Sequence, residues 1–443
     1  MKSYVRTTAA IALIVSLGGC GVFKGSAKKT PVLGDRVPIL MTENSIDVDR
    51  TIANIEVVVP LATANDAWNQ PGGNAAKAMG HVALADAPSR AWSIEIPGGD
   101  KRTRLAAAPV VDAGKLYVTD TAGAVHAYAA DTGATLWTAQ TVKDDVNTRA
   151  RFGGGVSVEG GKAFATNGLG DVVAFDANTG AELWRSKPGG PLRGAPTLAN
   201  DQVYVLSQDN QLFALNQSDG KIAWTSSGSL ESQGVFGVAA PAAAQGTVVA
   251  GFSSGELNAY RYENGRTLWA DALSRSSMST SVSALSDIDA EPVIDQGKLY
   301  AIGQGGRMVA LDVSTGQRLW EQNLAGISTP WVSGEWIFVV TDDARLICLA
   351  RASGKIRWIS QLRKYRVEKK KTQKDPVSWI GPVLAGNKLW LANSLGEVVS
   401  ASVTDGAVQT TIPVKQAVFS LSPIVANQTL YLLSDEGTLV AYR

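Results

Sequence analysis

The chain has 443 residues, of which 45% are hydrophobic, so it can bury a large globular core. Its formal net charge of +1 gives no global electrostatic argument for nucleic acid, and we expect no nucleic-acid partner. Two histidines and two cysteines leave little material for a metal site, and we expect neither a metal nor another cofactor.

Residues 1–19 have the pattern of a secretory signal peptide. Lys2 and Arg6 supply the positive charge, and the apolar run 9–17 is shorter than the roughly 20 residues that cross a bilayer. The run leads into Leu-Gly-Gly-Cys, ending at Cys20, which resembles a bacterial lipobox. We therefore predict that Cys20 is the lipid-modified first residue of the mature protein. A free thiol after an ordinary cleavage site is the alternative.

The segment between Cys20 and the main domain is predicted to be a tether and an extension. Gly21 stands where an inner-membrane retention signal usually has Asp, so we expect sorting to the outer membrane, facing the periplasm. Residues 20–50 are assigned to the lipidated cysteine and a flexible tether. Residues 51–88 form an N-terminal extension, in which the apolar stretch 52–61 is predicted to add a strand to the side of the following domain.

Residues 89–443 contain an internal repeat with three spacings that agree. In six units a glycine stands four residues before a tryptophan, and a seventh unit has Gly406 and Thr410 at that spacing. A turn residue lies ten residues before each glycine, and a proline lies twenty-four residues before it in six of the seven units. The glycine–tryptophan pairs are Gly133–Trp137, Gly180–Trp184, Gly220–Trp224, Gly265–Trp269, Gly316–Trp320 and Gly354–Trp358.

Each unit reads as four short strands separated by turns, which is typical of a propeller blade with a period of roughly 40 to 50 residues. The last unit begins at Pro423 and ends at Arg443 without its fourth strand. The stretch 89–94, which contains Trp92, has the pattern of the missing strand. We predict an all-β, eight-bladed β-propeller of four-stranded antiparallel blades, closed by this N-terminal strand. The recurring tryptophans are predicted to pack between blades.

The repeat resembles that of pyrroloquinoline quinone (PQQ) dehydrogenases, most clearly in residues 291–320. Combined with the lipobox, it resembles the BamB family of propeller lipoproteins of the β-barrel assembly machinery. The stretch Leu285-Ser-Asp287-Ile-Asp289 is similar to a Leu-Ser-Asp-x-Asp segment of that family, whose two aspartates lie on the surface that meets BamA. The resemblance therefore implies that Leu285, Asp287 and Asp289 bind this partner. Capping of an inter-blade turn is the structural alternative for the aspartates.

The same resemblance implies a non-enzymatic scaffold that binds the POTRA domains of BamA and assists insertion of outer-membrane proteins. Unfolded outer-membrane proteins are a further expected partner, and the chain is expected to be monomeric within the complex. Phe236 lies where the family has a cluster of leucine and arginine, and we predict that it is an aromatic anchor.

Two other functions remain open. A PQQ-dependent dehydrogenase would share the repeat, but such enzymes hold Ca²⁺ with several oxygen ligands and many have an adjacent cysteine pair, whereas Cys348 stands alone in an apolar run. A peptidoglycan or carbohydrate module is the other alternative, in which Trp68, outside the propeller, would stack on sugars. The basic insertion 363–374 is either a contact for anionic lipid or an acidic partner, or a solvated loop.

Overall fold

The protein is described here by a computed structural model. Its compact unit begins at Ile46 and extends to Arg443. Cys20, Phe236 and Leu285 lie outside the described residues. No helix in the described part of the chain is long and apolar enough to cross a membrane. The structure describes residues 46–100, 102–143, 147, 150–230, 239–273, 287–368 and 373–443.

The described residues form eight four-stranded antiparallel sheets, one for each blade. The first strand of the chain is β1 (Arg90–Glu95), which belongs to the last blade. Blade 1 is formed by β2 (Val110–Asp112), β3 (Lys115–Thr119), β4 (Ala124–Ala129) and β5 (Thr135–Gln140). Blade 2 is formed by β6 (Val156–Glu159), β7 (Lys162–Thr166), β8 (Val172–Asp176) and β9 (Glu182–Ser186). Blade 3 is formed by β10 (Leu192–Ala199), β11 (Gln202–Ser207), β12 (Gln211–Asn216) and β13 (Ile222–Ser227).

The second half of the ring repeats this arrangement. Blade 4 is formed by β14 (Ala242–Ala244), β15 (Thr247–Gly251), β16 (Glu256–Arg261) and β17 (Thr267–Ala272). Blade 5 is formed by β18 (Val293–Asp295), β19 (Lys298–Gly303), β20 (Arg307–Asp312) and β21 (Arg318–Gln322). Blade 6 is formed by β22 (Trp331–Ser333), β23 (Trp336–Val340), β24 (Arg345–Ala350) and β25 (Ile356–Gln361). A two-stranded hairpin follows, with β26 (Tyr365–Val367) and β27 (Lys374–Pro376). Blade 7 is formed by β28 (Trp379–Ala385), β29 (Lys388–Asn393), β30 (Glu397–Ser402) and β31 (Val408–Pro413), and blade 8 by β32 (Ile424–Ala426), β33 (Thr429–Leu433), β34 (Thr438–Tyr442) and β1.

The first strands of the blades line a central channel. Ser157 in β6 donates to the carbonyl of Pro196 in β10 (2.6 Å), and Thr197 in β10 donates to that of Pro241, just before β14 (2.5 Å). The blade-to-blade links and the second hairpin turn of each blade lie at the same end of the channel, which we call the upper end. The first and third hairpin turns lie at the lower end, because antiparallel strands alternate in direction.

The ring closes in blade 8, as predicted. β1 pairs with β34, with Trp92 opposite Ala441, and the backbones of Ser89 and Arg443 exchange two hydrogen bonds. The prediction of an eight-bladed propeller closed by an N-terminal strand is confirmed. The pairing removes the free edge that an incomplete sheet would expose.

The repeated glycines and tryptophans meet between neighbouring blades. Gly265 has a φ of +68°, and a Cβ there would lie 2.5 Å from Cε3 of Trp224, the tryptophan of the preceding blade. The Trp224 indole donates to the carbonyl of Tyr262 (2.7 Å) beside that turn. The predicted inter-blade packing is therefore confirmed. The same indole-to-carbonyl bond joins Trp92 to Ala130, Trp137 to Ala177, Trp184 to Gln217, Trp269 to Val313, Trp320 to Arg351 and Trp358 to Val403.

The exception at Thr410 has a structural reason. Thr410 lies in β31 of blade 7, so its neighbour is blade 8. In that blade β34 and β1 come from opposite ends of the chain, and no hairpin turn joins them. There is consequently no turn glycine for an indole to cover. The departure from the repeat marks the blade in which the ends of the chain pair.

Residues 49–57 lie along the outer strand of blade 6 without forming a strand. The N–H of Asp49 donates to the carbonyl of Ile356 (2.9 Å), and the guanidinium of Arg357 donates to the carbonyl of Ile55. The N–H of Ile55 donates back to Ile52 (3.0 Å), which closes a turn. The prediction that stretch 52–61 adds a strand is therefore wrong, because side-chain and turn bonds use its backbone groups.

The next part of the extension closes the lower end of the channel, and we call residues 63–82 the plug. Trp68 and the first strand of blade 1 exchange two backbone bonds through Val111 (2.7 and 2.8 Å). His81 accepts from the N–H of Asn387 (2.9 Å) and contacts the carbonyl of Pro60 (2.7 Å). The plug reaches the first strand or first turn of all eight blades. The other contacts are Asn69–Val158, Gln70–Leu198, Ala75–Ala243, Ala76–Ile294, Gly80–Trp331, Val82–Leu384 and Asn65–Asn427.

Candidate partner-binding site at the upper end of the channel

Asp287 and Asp289 lie in the link between β17 and β18, on either side of a buried residue. Ile288 is fully buried, and its N–H bonds to the carbonyl of Phe252 (3.3 Å). A Cβ on Gly251 would lie 2.5 Å from Ile288 Cγ2, so the glycine makes room for this side chain. Ile288 thereby fixes the link against blade 4 and holds both carboxylates at the upper end of the channel.

Both carboxylates face one guanidinium from another blade. Arg193 Nη2 lies 3.5 Å from Asp287 Oδ1 and 3.6 Å from Asp289 Oδ1. Arg193 is in β10 of blade 3, so the ion pairs cross blade 4 to reach the link to blade 5. Gln304 donates from Nε2 to Asp289 Oδ2 (2.9 Å), and its N–H donates to the carbonyl of Asp287 (3.0 Å). We call Arg193, Asp287, Asp289 and Gln304 the channel cluster.

Burial separates the roles of the two acids. Asp287 is 1% exposed and belongs to the channel wall, whereas the Asp289 side chain is 10% exposed. Loss of hydration raises the pKa of Asp289 to about 7, and the negative charge of Asp287 adds to this effect while Arg193 opposes it. Asp289 therefore changes charge near neutral pH, and a cation brought to it would favour its ionised form.

The structure brings together two of the residues predicted for the partner site and adds two more. Arg193 and Gln304 were missed by sequence reasoning, because Arg193 is 94 residues from Asp287 and only the arrangement of successive blades around the channel makes them neighbours. Phe236 and Leu285 lie outside the described residues, in the links from β13 to β14 and from β17 to β18. The sequence signal for Arg193 was a charged residue in an otherwise uncharged first strand.

A cavity of about 290 Å³ lies in the channel, with Trp68 and Lys77 of the plug among its lining residues. Lys77 donates to the carbonyl of Pro71 (2.9 Å) and to Thr197 Oγ1 (3.1 Å). Burial lowers the pKa of Lys77 to about 8, partly opposed by Glu291, and burial raises the pKa of Glu291. Lys77 therefore ties the plug to blade 3 through Thr197, and Glu291, just before blade 5, lies near enough for its charge to act on the pKa of Lys77.

Trp68 and Cys348 have structural environments. Trp68 is 3% exposed and stacks on Trp331, with ring centroids 5.9 Å apart. Cys348 is fully buried in β24, which confirms the predicted strand position, and burial raises the pKa of its thiol. Among the described residues, no group of three or more His, Cys, Asp or Glu side chains is arranged to hold a metal ion.

A family model described as outer membrane protein assembly factor BamB matches residues 78–148 and 122–360. A relative with that name from Yersinia pestis is 26% identical over 359 residues, covering 80% of this chain and 88% of the relative. A second from Vibrio cholerae is 36% identical over 255 residues, covering 58% of this chain and 65% of the relative.

Solved structures share the fold at low sequence identity. The crystal structure of BamB from Moraxella catarrhalis matches with a TM-score of 0.64 and 19% identity, covering 81% of this chain and all of that one. A quinohemoprotein alcohol dehydrogenase from Comamonas testosteroni matches with a TM-score of 0.66 and 14% identity, covering 86% of this chain and 81% of that one. The propeller alone therefore does not separate assembly factors from dehydrogenases.

Proposed function

Because the chain belongs to the BamB family of outer membrane protein assembly factors, we propose that it is a non-enzymatic scaffold that binds the POTRA domains of BamA and assists β-barrel insertion. The channel cluster is the observation that carries this proposal. It presents an acidic group at the upper end, where the blade-to-blade links leave the propeller. Rigid sheets with recognition residues on their links are a common way to build a binding surface.

Within this site the two aspartates have different roles. Asp287 is buried against Arg193, so it acts as a positioning residue that holds the guanidinium and the link. Asp289 is the partly accessible acid, and it receives a basic side chain of the POTRA domain. With a pKa of about 7, Asp289 releases its proton when it pairs with a cation, so binding strengthens as the pH rises from 6 to 8. Phe236 and Leu285 supply the apolar part of the contact.

Anchorage is the second part of the proposal. Acyl chains on Cys20 hold the protein on the periplasmic side of the outer membrane, and residues 21–45 connect them to the propeller. Mass spectrometry of the N-terminal peptide tests this directly. A diacylated or triacylated Cys20 is expected. An unmodified Cys20 thiol in protein from the membrane fraction would show that the chain is not anchored through this residue.

The experiment on partner binding is a calorimetric titration with the POTRA domains of BamA from the same organism. It uses the chain from Gly21, which keeps every described residue. Asp289→Asn is expected to weaken binding at least tenfold and to abolish the increase in affinity between pH 6 and 8. Asp131→Asn, an exposed acid in a lower turn of blade 1, is the matched control with unchanged affinity.

Two outcomes would contradict the proposal at different levels. If the folded wild-type chain does not bind the POTRA domains, BamA is not its partner. Titration with pyrroloquinoline quinone would then test the dehydrogenase alternative. Normal binding by both Asp289→Asn and the double variant Asp287→Asn, Asp289→Asn would keep the partner and remove the channel cluster from the interface.

A further inference from the structure

The N-terminal segment meets the propeller on the outer edge of blade 6. Ile46, the first described residue, packs against the core shared by blades 5 and 6. Asp49 bonds through its N–H to Ile356, the first residue of β25, and its carboxylate lies 3.3 Å from Lys355 Nζ. The N-terminal part of the chain therefore joins the propeller at this edge of blade 6.

The basic insertion leaves the ring from the other end of the same strand. β25 ends at Gln361, and the hairpin of β26 and β27 follows, with Tyr365 opposite Pro376 and Val367 opposite Lys374. Six residues of strand span roughly 20 Å. The attachment of the N-terminal segment and the base of the hairpin are thus separated by one strand length on one blade.

The hairpin concentrates positive charge. In the sequence, residues 363–375 contain seven Lys or Arg and two Asp or Glu, and the residues of this range that the structure describes contain four Lys or Arg and two Asp or Glu, a net of +2. Lys364, Arg366 and Lys374 are exposed, and within the described part of the chain none of them lies within 4.0 Å of a carboxylate. Arg363 differs, because Glu397 lies 3.6 Å from its Nη1. Lys364, Arg366 and Lys374 are thus the exposed cations without a nearby carboxylate on the described part of the hairpin, and residues 369–371 lie outside the described residues.

The hairpin also carries an exposed apolar side chain. Val367 is 39% exposed and lies opposite Lys374 in the hairpin register. A stretch of cations with an apolar side chain beside them suits the boundary between lipid headgroups and acyl chains. An acidic protein would be attracted by the same charge, but the nearby N-terminal attachment favours a membrane.

We propose that the hairpin docks the edge of blade 6 onto the phosphates of an anionic lipid surface, as a second membrane contact beside the acyl chains. The inference rests on the proposed anchor at Cys20. The 26 residues from Cys20 to Ile46 reach at most roughly 90 Å, so an acylated chain keeps Ile46, at the edge of blade 6, within that distance of the bilayer. Acylation gives firmer binding when a basic patch acts with it. The propeller then stands with blade 6 towards the membrane.

The test is flotation of the non-acylated chain from Gly21 with vesicles of phosphatidylethanolamine and phosphatidylglycerol. The test variant combines Lys364→Gln, Arg366→Gln and Lys374→Gln, all exposed positions, and circular dichroism checks its fold. Each cation near an anionic surface contributes about a fivefold gain in binding, so the variant is expected to bind on the order of 100-fold less well. The matched control removes the same charge from exposed positions of blades 2 to 4, with Lys187→Gln, Lys221→Gln and Arg266→Gln, and keeps wild-type binding.

Salt and lipid charge give further expected results. Binding should fall steeply with ionic strength and be absent from vesicles of phosphatidylcholine alone. Equal binding of the hairpin variant and the wild type, or no wild-type binding to anionic vesicles, would overturn the proposal. BamA is absent from this assay and lipid is absent from the POTRA titration, so failure of one leaves the other interpretable.

The acylated full chain provides an independent readout of orientation. In anionic vesicles, reductive methylation of Lys364 and Lys374 should be slowed relative to Lys187 and Lys221, as measured by mass spectrometry. In neutral vesicles the four lysines should react alike. Equal reactivity in both lipid compositions would show an anchored chain whose hairpin does not touch the bilayer.

Discussion

Replacing Gly265 by alanine tests whether the repeated glycine is required by backbone conformation or by the tryptophan beside it. The new Cβ would lie 2.5 Å from Cε3 and 2.7 Å from Cδ2 of Trp224. The indole cannot withdraw freely, because its N–H is bonded to Tyr262 (2.7 Å). Gly114 is the matched control, since its φ of +74° is close to the +68° of Gly265 and nothing lies within 4 Å of a Cβ there.

The two substitutions share one cost and differ in another. A side chain at positive φ costs about 1–2 kcal/mol at either position. At Gly265, overpacking adds about 1–3 kcal/mol, and a strained indole bond adds about 1 kcal/mol. We therefore expect Gly265→Ala to lower the free energy of unfolding by about 2–4 kcal/mol more than Gly114→Ala.

Urea unfolding of both variants, followed by circular dichroism and tryptophan fluorescence, measures this difference. The slope of free energy against urea should stay unchanged, because the unfolded chain exposes nearly the same surface. Equal losses at Gly265 and Gly114 would refute the reasoning. The glycine of each turn would then be explained by its φ alone.

The remaining predictions concern buried charge and the ring seam. Asp289 has a folded pKa of about 7, above its unfolded value, so the folded protein holds a proton that the unfolded chain releases. Its contribution to stability is therefore present below about pH 4 and is lost as the pH rises to 7, and Asp289→Asn should flatten that part of the urea-midpoint profile. Lys77→Met should cost about 3–5 kcal/mol by leaving Glu291 buried without its cation, and adding Glu291→Leu should recover most of it in urea unfolding. Trp224→Ala should cost about 3–5 kcal/mol, whereas Thr410→Ala, where no turn receives the side chain, should cost less than about 1 kcal/mol by the same measurement.

The blades could be predicted because their determinants are local and repeated. A glycine and a tryptophan four residues apart mark the turn and the outer strand, and the same two residue types meet between blades in the structure. The position before each tryptophan is apolar in several blades, as at Leu136 and Leu268, but it is Arg357 in blade 6. Arg357 lies in the strand along which the N-terminal segment runs, and it donates to the carbonyl of Ile55. The sequence alone does not show this role, because Ile55 is distant from Arg357 along the chain.

The plug and the channel cluster could not be predicted, because neither has a periodic pattern. The plug is held mainly by backbone bonds to different blades, and such bonds leave little trace in side-chain identity. Arg193 and Asp287 are 94 residues apart, so their pairing depends on the curvature of the completed ring. Asp287 and Asp289 were found from a family resemblance, which indicated their importance but not the burial of Asp287.

The plug also imposes an order on the biogenesis of this protein. Residues 63–82 and β1 leave the secretion machinery first, yet their partners include Asn427 and Tyr442, which leave it last. Contacts between residues far apart in sequence form slowly, because a long stretch of chain must lose conformational entropy before the contacts can stabilise it. The bonds of this early segment to blade 8 can therefore form only after the last residues of the chain have emerged. The plug contacts all eight blades only when the last blade has formed. A chain truncated before that blade would keep β1 but lack β34, with which β1 pairs, and Asn427, which bonds to Asn65 of the plug.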